Sequence, residues 1–169
     1  MIQRRHFLSA IAVLTTLLYS ASPMAWGDAL SGHLPQIHNL AEVGKSAAEH
    51  PAGKLPIMLY FSAPGCPYCL RMEEMFLNPM YASGRYQQQI VMVMISLGDQ
   101  RQFIAFNGEN TTINALRQQY QIRVTPTIVI VDSHGETLTE PTIGVINPDY
   151  FVTELEEKFT AALTKVRQP

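Results

Sequence analysis

Leu55-Pro56-Ile57-Met58-Leu59-Tyr60-Phe61-Ser62-Ala63-Pro64-Gly65-Cys66-Pro67-Tyr68-Cys69 is the stretch on which the fold turns. Leu55 to Ser62 is a continuous apolar run of strand length. A run without polar alternation implies burial on both faces, as in a central strand covered by helices. Ala63-Pro64-Gly65 then turns the chain, and a helix is predicted from about Pro67 to Leu77. Cys66 and Cys69, the chain's two cysteines, therefore fall directly after a buried strand and at the start of a helix.

Outward from this stretch, helices and strands alternate. Pro35 to Glu49 places Ile37, Leu40, Ala41, Val43, Ala47 and Ala48 on one side of a helix, which Pro51-Ala52-Gly53 stops. Gln89 to Leu97 reads as a second strand and Ile113 to Gln121 as a helix. Thr127 to Asp132 is a third buried strand, and Ser133-His134-Gly135 turns tightly into a fourth, Glu136 to Ile143. A last helix opens at Asn147 or Pro148 and runs to about Val166, with Phe151, Leu155, Phe159 and Leu163 at four-residue steps. Gly98 to Thr112, containing Phe103, Ile104 and Phe106, reads as an insertion or a short helix. The pattern predicts one α/β domain with a mixed central sheet flanked by helices.

The chain has 169 residues, 47% hydrophobic, with 12 Lys+Arg against 14 Asp+Glu. This excludes a disordered or collagen-like chain, and with no basic run or stripe it points away from nucleic acid. Two cysteines cannot frame a small disulfide-rich fold, so the core must come from burial and the cysteines are left for chemistry. Met1 to Arg5 is basic, Phe7 to Tyr19 is apolar, and Ser20 to Gly27 is rich in small residues. That order is a secretory signal, with cleavage expected after Gly27. Residues 1–27 are thus read as a signal peptide and 28–169 as the domain, exported to the periplasm. Arg4-Arg5-His6-Phe7-Leu8 also resembles a twin-arginine export signal. Removing Arg4 and Arg5 leaves 10 basic residues against 14 acidic, a formal charge of −4.

Cysteines separated by two residues can close a disulfide within one helical turn. At a helix start, unpaired N–H groups and the dipole's positive end favour an anion, so a Cys66 thiolate is expected below the free thiol value of about 8.5. Cys69, one turn in and more buried, should stay a thiol until it attacks. Pro67 fits the first turn, where its missing N–H costs nothing. Zinc would need two more ligands, and His33, His38, His50 and His134 are scattered singly. Copper is a stronger rival, since Met72 and Met75 follow at a three-residue step, although such methionines usually fill a core. Val124-Thr125-Pro126-Thr127 is the second signal. A proline opening a buried strand removes a ladder donor, and a cis bond there would leave the Thr125 backbone facing the cysteine pair.

Phe61 to Cys69, Val124-Thr125-Pro126-Thr127, Asp132-Ser133-His134-Gly135-Glu136 and Gly144 together resemble the thioredoxin superfamily, in particular its exported SoxW-like and thioredoxin-related members. The resemblance covers roughly residues 35–166. It implies a thioredoxin fold, with Cys66 as nucleophile and Cys69 as resolving thiol. It also implies a substrate-binding surface from Pro67, Tyr68, Thr125 and a cis Pro126. No cofactor or metal is implied; the partners are a protein with a disulfide or thiols and a membrane-embedded redox partner. The protein is expected to be a monomer, since it has no spare thiol for a linked dimer. Lack of a large inserted helical domain favours a reductase over a disulfide donor.

Departures from the family are informative. Gly65 stands where Trp is usual, and Pro67-Tyr68 replaces Gly-Pro. Pro-Tyr is similar to glutaredoxins, yet the paired glycines of a glutathione site are missing after Gly135. Tyr60 occupies the place of the family's buried Asp, so protons on Cys69 must move through water or another group. Tyr60 reads as core, and Glu73 and Glu74 as a solvated helix face. A redox-inactive binding domain is the remaining rival, one that would tolerate Cys66→Ser. A Met72→Leu, Met75→Leu double variant is expected to keep disulfide exchange; loss of copper binding without loss of exchange would mark a separate metal role.

Overall fold

The strand at Ile57–Ser62 (β1) has no exposed residue, and everything else is arranged to cover it. The computed structural model describes residues 32–168; the signal segment 1–27 and its cleavage point lie outside them. β1 pairs in parallel with β2 (Val91–Ser96), Ile57 opposite Val91 and Ser62 opposite Ser96. On its other side it pairs antiparallel with β5 (Thr127–Val131), which pairs with a short β6 (Thr142–Ile143). The order β2-β1-β5-β6 makes the predicted mixed sheet.

Alternation along β1 divides the core in two. Ile57, Leu59 and Phe61 meet Leu40 and Ala47 of α1 (Leu40–Ala48) and Ile113 and Leu116 of α4 (Ile113–Gln119). Met58 and Tyr60 meet Cys69 and Met72 of α2 (Pro67–Met72), Met80 of α3 (Asn78–Ala82), and Phe151, Leu155 and Phe159 of α5 (Phe151–Arg167). Strand residues i and i+1 point to opposite faces, so a wholly apolar strand needs both layers.

Four expectations require correction. The first helix begins at Leu40, because Asn39 caps it by accepting from Glu42 N–H, while Pro35 to Ile37 run beside Met94 of β2. The fourth strand is not Glu136–Ile143: after the turn only Thr137 bridges Val131, and strand pairing resumes at Thr142. Gly98–Thr112 holds no helix; β3 (Phe103–Ile104) and β4 (Asn110–Thr111) form an antiparallel hairpin. Its Phe106 wedges between α1 and the 133–135 turn, where a Cβ on Gly44 would meet Ser133 O at 2.5 Å and one on Gly135 would meet Phe106 at 2.6 Å. The cysteine helix does not stop at Leu77 but passes through a π turn, Glu73–Leu77, closed by Asn78 N–H on the Glu73 carbonyl, and continues to Ala82.

The segment before α1 is tied to the loop after β2 by one carboxylate. Asp99 accepts from Gln36 Nε2 at 2.9 Å and from Arg101 Nη2 at 2.8 Å, and it also pairs with His38 Nε2. The Arg101 guanidinium first, and the His38 bond second, hold the Asp99 carboxyl far below the usual carboxylate range. A depressed folded value contributes stability that is full above the unfolded value, about 3.9, and is lost as pH falls through the folded one. Denaturant unfolding should therefore show wild type more stable than Asp99→Asn by a constant margin above about pH 5, with the margin closing on further acidification. A margin independent of pH would show that the charge contributes nothing.

Candidate active site

Chain direction at the end of β1 places the cysteines. Ser62 ends the strand, Ala63 to Gly65 turn outward, and Gly65 takes φ +69°, a left-handed geometry that glycine adopts without a Cβ clash. Cys66 is then the N-cap of α2, with Pro67 in the first turn. Cys66 and Cys69 are joined as a disulfide, their Cα atoms 5.2 Å apart. The two are not equivalent. Cys66 is half-buried at the rim, and its Sγ accepts the Cys69 N–H at 3.1 Å; Cys69 is 1% exposed, packed in the Tyr60 layer.

The Thr125–Pro126 loop faces the pair. Its peptide bond is cis, Thr125 Oγ1 donates to Cys66 Sγ at 3.6 Å, and the Thr125 carbonyl oxygen lies 3.8 Å from the same sulfur. Four site residues read from the sequence, Cys66, Cys69, Thr125 and Pro126, thus come together. Tyr68, 72% exposed, and Pro67 stand on the outer side of α2. Beside the pair runs a groove of about 600 Å³ lined by Tyr68, Arg71, Met75, Phe76, Thr125, Pro126 and residues of the 143–148 loop. Met75 is open to this groove and is not core, whereas Met72 is buried beside Cys69, so the two methionines do not converge. Among the described residues, no group of three His, Cys, Asp or Glu side chains could hold a metal ion.

Glu73 is the residue that sequence reading misplaced. Glu74 is exposed as expected, but Glu73 turns inward, accepting from Ser62 Oγ at 2.8 Å and from Tyr60 Oη at 3.0 Å. The Tyr60 hydroxyl also lies 3.2 Å from the Cys69 carbonyl. Burial, then the Glu73 charge, pushes the Tyr60 phenol well above its ordinary range, so it remains a donor. The available signal was spacing: Glu73 is four residues after Cys69, on the same helical face.

Compared with known families, the chain matches the thioredoxin-like domain over residues 43–159. It belongs to that family. Among solved structures it is similar to DsbH oxidoreductase, 17% identical over 75% of this chain and 85% of that one, with a TM-score of 0.55. Thioredoxin f from spinach chloroplast is 18% identical over 78% of this chain and 94% of that one, TM-score 0.50. Thioredoxin h from Nicotiana alata is 17% identical over 75% and 92%, TM-score 0.50. At these identities the likeness establishes the thioredoxin fold. No curated protein matches the chain in sequence.

Gly98, also unremarked in the sequence, braces the turn before Cys66. A Cβ there would lie 2.3 Å from Pro64 Cγ and 2.7 Å from its Cδ, and a change of ring pucker moves Cγ but leaves Cδ tied to the backbone nitrogen. Gly98→Ala should cost about 1–3 kcal/mol in denaturant unfolding and slow disulfide exchange by displacing the turn. Wild-type stability together with wild-type exchange would show that the turn is not braced there.

Proposed function

We propose that this protein is an exported thiol-disulfide oxidoreductase that reduces protein disulfides through Cys66 and Cys69. The observation that carries the reading is the asymmetry of the pair. One sulfur is at the rim, hydrogen-bonded to N–H and hydroxyl donors, and the other is buried behind it. Donors around Cys66 favour its thiolate once the pair is reduced, as a nucleophile requires. The thiolate attacks a substrate disulfide and forms a mixed disulfide; Cys69 then attacks Cys66, releasing reduced substrate and restoring Cys66–Cys69. The apolar groove with exposed Tyr68, Met75, Ile143 and Ile146 at its border suits an extended polypeptide flanking the substrate cysteine. Thr125 and the cis Pro126 form the wall nearest the sulfurs.

Export follows from the charge and apolar order of residues 1–27, and an exported reductase working as a monomer needs electrons from a membrane-embedded donor. DsbH, similar in fold, is an oxidoreductase, in agreement with this chemistry.

Equilibration with glutathione tests the direction of electron flow. A potential near that of thioredoxin, about −270 mV, is expected for a reductase; a value near about −120 mV would make the protein a disulfide donor. Cys66→Ser should abolish reduction of a protein disulfide such as insulin's. Cys69→Ser should instead accumulate a mixed disulfide through Cys66. Full activity of Cys66→Ser would reduce the protein to a binding domain.

A further inference from the structure

One side of the cysteine helix is apolar where it meets water. Tyr68, Arg71 and Met75 stand at steps of three and four residues and share a face, whereas Cys69 and Met72 turn to the core. Across the groove, Ile143 is 55% and Ile146 93% exposed. Large apolar side chains gathered around a concave surface mark a place that a partner covers. In the reading above, that partner is the polypeptide flanking the substrate cysteine.

Arg71 interrupts this apolar lining. Among the described residues it is the one charged side chain that borders the groove; its acidic neighbours Glu74 and Asp149 do not line it. The chain has 14 acidic residues against 12 basic, so the groove carries the opposite sign to the molecule around it. Other cations are engaged: Arg101 with Asp99, Arg85 with Glu156 and the Tyr86 ring, Lys158 with Glu154, and Arg167 with the carbonyls of Ala52 and Lys54. Among the described residues Arg71 forms no salt bridge, and Glu73, two positions on, already accepts from Tyr60 and Ser62. A guanidinium presents a rigid fork of N–H donors that matches a carboxylate. Apolar walls covered by a bound chain also reduce the screening that makes exposed ion pairs weak.

We propose that Arg71 selects substrates with an acidic side chain near the reacting cysteine, pairing with that carboxylate while apolar neighbours in the peptide fill the groove. The inference rests on the dithiol reading above and adds a charge to the substrate that it names. Arg71 follows Cys66 by five residues, about 7.5 Å of helical rise. An extended peptide advances about 3.3 Å per residue, so the selected side chain lies about two to four residues from the substrate cysteine.

Peptides with a central cysteine capped as its thiopyridine disulfide test this on the reduced full-length protein. Attack by Cys66 on the peptide sulfur releases pyridinethione, whose absorbance gives the rate, and the cap brings no charge of its own. Each peptide is alanine and valine apart from a single Glu, Gln or Lys, placed in turn at each of these distances on either side. At one or more placements wild type should react about tenfold faster with Glu than with Gln, and more slowly still with Lys. In Arg71→Gln the preference for Glu should vanish, and Arg71→Glu should turn it towards Lys. Each ratio is taken within one protein, so a change in Cys66 reactivity cancels. Equal rates with Glu and Gln at every placement in wild type would overturn the inference, as would a preference that Arg71→Gln retains. Should the variants not fold, wild type decides: a Glu preference lost at high salt supports the pairing, and one that salt leaves unchanged overturns it. A wild-type dimer in sedimentation that Ile146→Asp makes monomeric would give the groove to a second copy and overturn it as well. Release of no pyridinethione from any peptide would overturn the dithiol reading itself, whereas rates blind to peptide charge would leave that reading standing.

Discussion

A strand with no solvent-facing side is the constraint from which the structure follows. β1 must be covered by α1 and α4 on one face and by α2, α3 and α5 on the other, because an apolar side chain left exposed forfeits about 1.5–3 kcal/mol of burial. Both layers are therefore obligatory. The helix that follows β1 has to fold back at once over the sheet, and this fold-back carries the cysteines. Cys66 stays at the rim where the turn ends, and Cys69, three residues on, points to the sheet. The asymmetry in exposure of the pair is thus a consequence of helical period meeting a flat buried surface.

The same packing creates a polar problem and solves it. Tyr60 points into the apolar layer with a hydroxyl that must be satisfied, since an unpaired buried hydroxyl costs about 1–3 kcal/mol. Glu73 and the Cys69 carbonyl accept it, and Ser62 completes the set. The π turn begins at Glu73, a kind of helical irregularity that recurs at functional sites. The same hydrogen bonding turns Glu73 inward, one helical turn from Cys69.

Support for the site also comes from outside the helix. The loop after β2 meets the turn before Cys66 through Gly98 and Pro64, and Asp99 next to it anchors the segment preceding α1. Farther along, Phe106 of the hairpin fills the space between α1 and the 133–135 turn. These are contacts among parts far apart in sequence, made possible because each partner has a small residue or a fixed ring at the meeting point.

Much of this was legible in the chain. Apolar runs long enough for strands but lacking alternation determined a central sheet with two helical layers. Two cysteines at a strand-to-helix junction determined where the disulfide sits, because their spacing closes it within one helical turn. The Val124-Thr125-Pro126-Thr127 signal placed the opposing loop, since proline's missing donor restricts where it can enter a sheet. Tertiary structure alone decided the rest. Glu73 and Glu74 are chemically alike and adjacent; spacing puts Glu73 on the Cys69 face of the helix, but the hydroxyls that hold its carboxylate inward come from Tyr60 and Ser62 of β1. Met72 and Met75 are likewise indistinguishable by type, yet one fills the core and the other borders the groove. Residues 98–112 became a hairpin through long-range contacts that carry no local period, and β6 shrank to two residues because pairing depends on the neighbouring strand. Local propensity and burial are written in the chain, whereas which side chains meet depends on distances that exist only after it folds.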